Sequence, residues 1–324
     1  MIQLHFLKIR SSDLKMKIVF MGTPDFAVPT LDAIIKAGHE VLAVVTQPDK
    51  PKGRSGELSM SPVKEYALKE GIEVLQPARL RKDEEFLAYF ESLKADVCVV
   101  VAFGQILPKR VLDAYKYGCI NVHGSLLPAY RGAAPIQWAV INGDEKSGVT
   151  IMQLDEGIDT GDIIAKKEIV LEPKETGGSL FDKLATLGGQ MIVDVLKSLE
   201  DGSVTRTPQG EATTEYAKML DKNMGKIDFS QDAKKIECLI RGLNPWPSAY
   251  SYINGKTLKI WEADVINASG EPGSVIDIDK NGFTVACGKD ALYIKEVQLE
   301  GKKRMASSDF LRGYKLNKGD KIGC

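Results

Sequence analysis

The stretch ADVCVVVAFG, residues 95–104, narrows the possible folds more than any other part of this chain. Val97 to Val101 form an unbroken apolar run, far too short to cross a bilayer. A strand with no polar face must be covered on both sides, which is the situation of strands in a parallel sheet packed between helices. The flanking sequence agrees. From Met16 onward KIVFMG, HEVLAVVTQ, IEVLQP and CINVH read as strands, with PDFAVPTLDAIIKAG, SPVKEYALKEG, DEEFLAYFESLKA and PKRVLDAY as helices between them. Strand–helix alternation with short connections predicts an α/β fold with a doubly wound, mostly parallel, Rossmann-like sheet. PIQWAVING, GVTIMQLD, DIIAKKEIVL and the helical SLFDKLATLGGQMIVDVLKSLEDG carry it to residue 202.

A polar, mixed stretch over 203–221 reads as a linker, and beyond it the texture changes. One helical segment, QDAKKIECLIRGLN, precedes five short strands: AYSYING, KTLKIWEADV, GSVIDID, GFTVACG and ALYIKEVQL. Asn-Gly pairs at 254–255 and 281–282 mark hairpin turns. Such a series predicts a small OB-like β-barrel over 222–324. The expected organisation is a disordered leader (1–15), an α/β domain (16–202), the linker and the barrel.

Charge and cysteine content exclude several classes. The net charge is −1, so any nucleic-acid affinity must come from local patches. Residues 222–324 are mildly basic, with 17 lysines and arginines against 13 acidic residues. The five cysteines are scattered without a CxxC pair, and the three histidines (His5, His39, His123) lie far apart. No disulfide framework and no metal site is expected, and the expected location is cytoplasmic. The leader lacks the features of a secretion signal, and no membrane association is expected.

INVHGSLLPAYRGAAP, residues 120–135, carries the first sign of chemistry. Residues i and i+2 of a strand share a face, so Asn121 and His123 project together where the strand ends. In an open α/β sheet, that end is where ligands bind. An amide that steadies an oxyanion beside an imidazole that moves a proton suits attack on a carbonyl; a strand-end pair satisfying loop backbone is the plainer reading. LDEGIDTGDI, residues 154–163, sets Asp155, Glu156, Asp159 and Asp162 among glycines, without calcium-loop spacing. It is either a solvated turn or the source of a carboxylate that orients the imidazole. MGTPDF, where a dinucleotide fold has its phosphate loop, lacks the glycine fingerprint. QPDKPKGRSGELSMSP, 47–62, is long for a βα loop and holds Lys50, Lys52 and Arg54, as a solvated insertion or a basic arm for phosphate. Lys302, Lys303 and Arg304 form a second basic cluster, and VVAFGQILP offers a possible wall for a flat heterocycle.

Together, MKIVFMGTPDFAVPTL, VVTQPDKPKGR, VVAFGQILP, INVHGSLLPAYRGAAPIQWA, LDEGIDTGDI and RGLNPWPSA, in this order and spacing, closely resemble the methionyl-tRNA formyltransferase family of 10-formyltetrahydrofolate-dependent transferases. The resemblance runs from Met16 to about residue 315. It implies transfer of a formyl group from the cosubstrate 10-formyltetrahydrofolate to methionyl initiator tRNA, by a monomer, without a metal. Catalytic roles fall on Asn121, His123 and Asp159. The folate falls to Ser125, Leu126, Leu127 and Pro128, with Phe103, Gly104 and Ile106 at the pteridine. Arg54 matches the basic residue that reaches toward the tRNA acceptor end, with Lys50 and Lys52 beside it; Lys302, Lys303 and Arg304 are further tRNA candidates, and Phe26 lies toward the methionine side chain. One departure is Ser248, where many relatives carry Gly. The insertion is expected to be mobile without tRNA.

Overall fold

The structure is a computed structural model and describes residues 15–52 and 57–323. The leader, Lys15 excepted, lies outside the described residues. The first strands and helices are β1 (Lys17–Gly22), α1 (Val28–Lys36), β2 (Glu40–Val45), β3 (Lys50–Lys52), β4 (Glu57–Ser59), α2 (Pro62–Lys69) and β5 (Val74–Leu75). There follow α3 (Glu84–Ser92), β6 (Val97–Val101), α4 (Lys109–Leu112), β7 (Cys119–His123), α5 (Pro135–Ile141), β8 (Lys146–Gln153), β9 (Ile163–Val170) and the long α6 (Gly177–Glu200). Side chains cap the starts of α2 and α3. Ser61 accepts from the Lys64 N–H at the start of α2, and Asp83 from the Phe86 N–H at the start of α3.

Seven strands form one sheet in the order β5-β2-β1-β6-β7-β8-β9. The pairs β2–β5, β1–β2, β1–β6 and β6–β7 are parallel, and β7–β8 is antiparallel. The chain therefore winds outward from β1 through β2 to β5, then returns to build β6 and β7 on the other side. That reversal opens a crevice beyond the carboxyl ends of β1 and β6, one strand from β7. Every residue of β6 is buried, as its composition requires.

By contacts, the described residues form two compact units. One takes the chain up to 123 with 149–166 and 185–210; the other takes 124–148, 167–184 and the chain from 211 onward. In the first, Val19, Met21, Val45, Phe86, Phe90, Val100 and Phe103 belong to one core. Phe90 lies 4.8 Å from the Tyr115 ring, whose hydroxyl donates to the Phe90 carbonyl at 2.6 Å, so its polar end is satisfied inside that core.

The second unit contains α7 (Ala233–Gly242), β10 (Ala249–Ile253), β11 (Lys256–Ile266), β12 (Val275–Ile278), β13 (Phe283–Ala286), β14 (Ala291–Leu299), β15 (Met305–Ala306) and α8 (Ser307–Gly313). All five strands expected from sequence are present. They pair antiparallel in the order β10-β11-β14-β13-β12, with β15 added on β14. Alternation in AYSYI puts Ala249, Ser251 and Ile253 inward, and Phe283, Val285, Leu292 and Ile294 join the same core. The stretch read as a linker is not loose: the Thr214 hydroxyl accepts from the Tyr130 N–H at 2.7 Å, and Ala217 exchanges backbone bonds with Arg131 and Ala133.

Candidate active site

β7 is buried along its whole length, Asn121 and His123 included (9% and 6% exposed). Asn121 sits opposite Val100 of β6 and Met152 of β8, and His123 opposite Thr150. The polar pair is thus held between two strands, at the carboxyl end of β7.

The loop from Gln153 to Ile163 brings a carboxylate to the imidazole. Asp159 Oδ2 lies 3.8 Å from His123 Nδ1, with its side chain 16% exposed. This is ion-pair range, slightly longer than a hydrogen bond. Asp155, the other candidate, is used inside the loop. It accepts from the Gly157 N–H at 3.0 Å and the Thr160 hydroxyl at 2.8 Å, closing a turn. Glu156 points to the surface beside Lys109, at 3.7 Å. Asp159 has φ +54, a left-handed backbone that aspartate tolerates better than most residues. Gly161 is required sterically, because a Cβ there would stand 1.8 Å from the Gln153 carbonyl oxygen.

At the crevice, the loops after β1, β2 and β6 are tied through one atom. The Phe103 carbonyl accepts from the Thr23 hydroxyl and from Gln47 Nε2, each at 3.1 Å. The Phe103 ring is buried in the core (2% exposed), while Gly104, at φ +85, and Ile106 are exposed. Of the three residues expected at the pteridine, Ile106 is therefore the one whose side chain reaches the surface.

Ser125 is buried and donates to the Ala129 carbonyl at 2.6 Å, Leu127 is fully buried, and Leu126 and Pro128 are half-buried. Phe26 is buried in a short turn between β1 and α1. Lys50 is exposed on β3, which pairs with β4, so the ends of the basic insertion form a hairpin. Arg54 and the side chain of Lys52 lie outside the described residues. Lys302, Lys303 and Arg304 are exposed; Arg304 pairs with Glu296 and lies over the Trp261 ring at 4.7 Å, with Lys259 at 5.6 Å.

Two groups at the site escaped the sequence reading. Gln209 donates to the backbone of the Asp159 loop, and Thr23 with Gln47 steadies the crevice. Gln209 lies in an aperiodic polar stretch, where nothing local sets one residue apart from its neighbours. Among the described residues, no group of three or more His, Cys, Asp or Glu side chains could hold a metal, and no helix is long and apolar enough to cross a membrane.

An imidazole backed by a carboxylate, with an amide on the same strand face, can accept and release a proton beside a carbonyl under attack. Residues 16–196 match the family Formyl transferase, and residues 219–315 match Formyl transferase, C-terminal domain. The chain belongs to the formyl transferase family, a family of group-transfer enzymes.

Within that family it is 57% identical over 315 residues to the methionyl-tRNA formyltransferase of Lachnospira eligens, covering 95% of this chain and all of that one. It is also 57% identical to the methionyl-tRNA formyltransferase of Agathobacter rectalis over 306 residues, 94% of this chain and 98% of that one. Among solved structures, WlaRD, a sugar 3N-formyl transferase in the presence of dTDP and 5-N-formyl-THF, superposes with a TM-score of 0.65 at 22% identity, over 90% of this chain and all of that one. HypX from Aquifex aeolicus in complex with tetrahydrofolic acid gives 0.63 at 18%, over 96% of this chain and 51% of that one. At these identities the likeness to the two structures is one of fold.

Proposed function

We propose that this chain moves the formyl group of 10-formyltetrahydrofolate onto the amino group of methionyl initiator tRNA, preparing it for translation initiation. The observation that carries the reading is His123 Nδ1 facing Asp159 Oδ2 at 3.8 Å, at the end of the strand that also bears Asn121. The amine attacks the formyl carbon, and the carbonyl oxygen takes up negative charge. The Asn121 amide donates to that oxyanion. His123 takes the proton shed by the amine and passes it to the folate nitrogen, which leaves as its bond to the formyl carbon breaks. Asp159, facing Nδ1, fixes the orientation of the ring.

In this reading 16–202 is the catalytic domain, 203–221 connects it to the tRNA-binding domain over 222–324, and the enzyme is a cytoplasmic monomer. Folate is held by the 125–128 segment and the loop carrying Gly104 and Ile106. Lys50, Lys52, Arg54 and the 302–304 cluster meet tRNA phosphates, and Phe26 lies toward the methionine side chain. The test is formyl transfer from 10-formyltetrahydrofolate to charged initiator tRNA, with elongator tRNA and free methionine as parallel acceptors. Rapid formylation of the initiator alone is expected. Folate binding without transfer to any tRNA would instead point to a small amine as acceptor.

A further inference from the structure

The backbone of the loop that delivers Asp159 is bound from outside by the Gln209 side chain. Gln209 Nε2 donates to the Asp159 carbonyl at 3.0 Å and to the Gly161 carbonyl at 2.6 Å, and lies 3.6 Å from Met152 Sδ. Its own segment is anchored to the same region. Thr207 and Ile163 exchange two backbone bonds, at 2.8 and 2.9 Å, and Arg206 Nε donates to Gln153 Oε1 at 3.2 Å. The two carbonyls that Gln209 binds bracket Thr160, on a stretch where Asp159 adopts φ +54 and Gly161 leaves no room for a Cβ. An amide with two N–H groups can bind two carbonyls at once, which neither a hydroxyl nor a carboxylate can do.

From this geometry, and resting on the catalytic reading of Asp159 above, we propose that Gln209 is a positioning residue of the reaction. It fixes the backbone turn that sets the Asp159 carboxylate against His123. The segment that looks like a linker therefore contributes to the chemistry of the α/β domain. Gln209 touches no reacting atom in this scheme, so its removal leaves substrate binding in place and slows the chemical step.

The test uses Gln209→Met, similar in length but with no donor, and Gln209→Glu, similar in shape with the amide donors gone. Steady-state formyl transfer is measured in both, alone and combined with Asp159→Asn. Misplacing a catalytic group by about 1 Å costs up to about 10²-fold. The expected result is a fall in kcat of about 10- to 100-fold, with KM for folate and for tRNA each within about twofold. In the Asp159→Asn background the Gln209 substitutions should cause no further loss, because the two residues act as one unit.

Wild-type kcat in a folded Gln209 variant, or fully additive losses in the double variants, would overturn the proposal. Failure of both variants to fold would overturn it too, by making Gln209 a residue of stability alone. Full turnover in Asp159→Asn would remove the catalytic reading of Asp159 itself. An inactive Asp159→Asn beside unimpaired Gln209 variants would remove only the positioning role.

Discussion

His123 owes its surroundings to neighbours fixed by the sheet, and Asp159 owes its position to a turn with a left-handed backbone. Their roles predict different losses. His123→Ala and Asp159→Ala should each nearly abolish transfer while leaving thermal unfolding cooperative. Asn121→Ala should lower kcat by about 10²- to 10³-fold, the usual cost of an oxyanion donor. Near-normal turnover in any of the three, measured with saturating substrates, would remove that residue from the mechanism. Ser248 raises a separate question of backbone. It sits at φ +72, is fully buried, and stands where the resemblance leads one to expect Gly. A side chain in this region costs about 1 kcal/mol or more relative to glycine. Ser248→Gly should therefore raise the urea midpoint and leave kcat unchanged; a lowered midpoint would mean that the hydroxyl outweighs the backbone.

Helix α7 shows how one element is joined to its surroundings through a buried charge. Glu237 is 2% exposed and receives Arg241 Nε at 2.7 Å and Nη2 at 3.0 Å, with Lys174 Nζ at 3.2 Å. Arg241 Nη1 also donates to the Glu175 carbonyl at 2.7 Å, tying α7 to the segment before α6. Burial pushes the Glu237 carboxyl up, but the Arg241 hydrogen bonds and the charges of Arg241, Lys174 and Lys234 hold it below its ordinary value. A carboxyl depressed in the folded state adds stability above its unfolded pKa, and that stability is lost as pH falls through the folded value. Arg241→Met should destabilise the fold near neutral pH by less than the about 3–5 kcal/mol of a wholly unpaired buried charge, because Lys174 and Lys234 still face the Glu237 carboxylate. The deficit should shrink on acidification, since the less compensated carboxylate then takes up a proton. Urea unfolding of both proteins from neutral to acid pH checks this, and a deficit independent of pH would contradict it.

For the molecule as a whole, charge is nearly balanced, so an anionic polymer must be recognised by patches. Exposed Lys50, Lys302 and Lys303 are described examples. If they meet tRNA phosphates, KM for tRNA should rise steeply with salt while KM for folate changes little. Lys50→Ala combined with Lys302→Ala and Lys303→Ala should weaken tRNA binding and flatten its dependence on log salt. An unchanged slope would show that these lysines only solvate the surface. Arg304 is a poorer candidate for free phosphate contact, being paired with Glu296 and stacked on Trp261.

Regular elements were legible because their cause is local. The Val97–Val101 run states in five residues that it is covered on both sides, and the Asn-Gly pair at 254–255 marks its turn by itself. The same holds for Asn121 and His123, whose shared face follows from strand geometry alone. Residue chemistry narrowed the partner of His123 to a handful of carboxylates, and among these the family resemblance singled out Asp159. Only the tertiary structure shows how they differ physically: Asp155 closes its own turn, Glu156 faces Lys109, and Asp159 reaches the imidazole. Gln209 and the Thr23–Gln47 pair were invisible beforehand for a related reason: each bonds to a backbone carbonyl about 50 to 80 residues away. A chain writes its periodic structure in neighbouring side chains, whereas contacts between distant loops exist only after the sheet has brought those loops together.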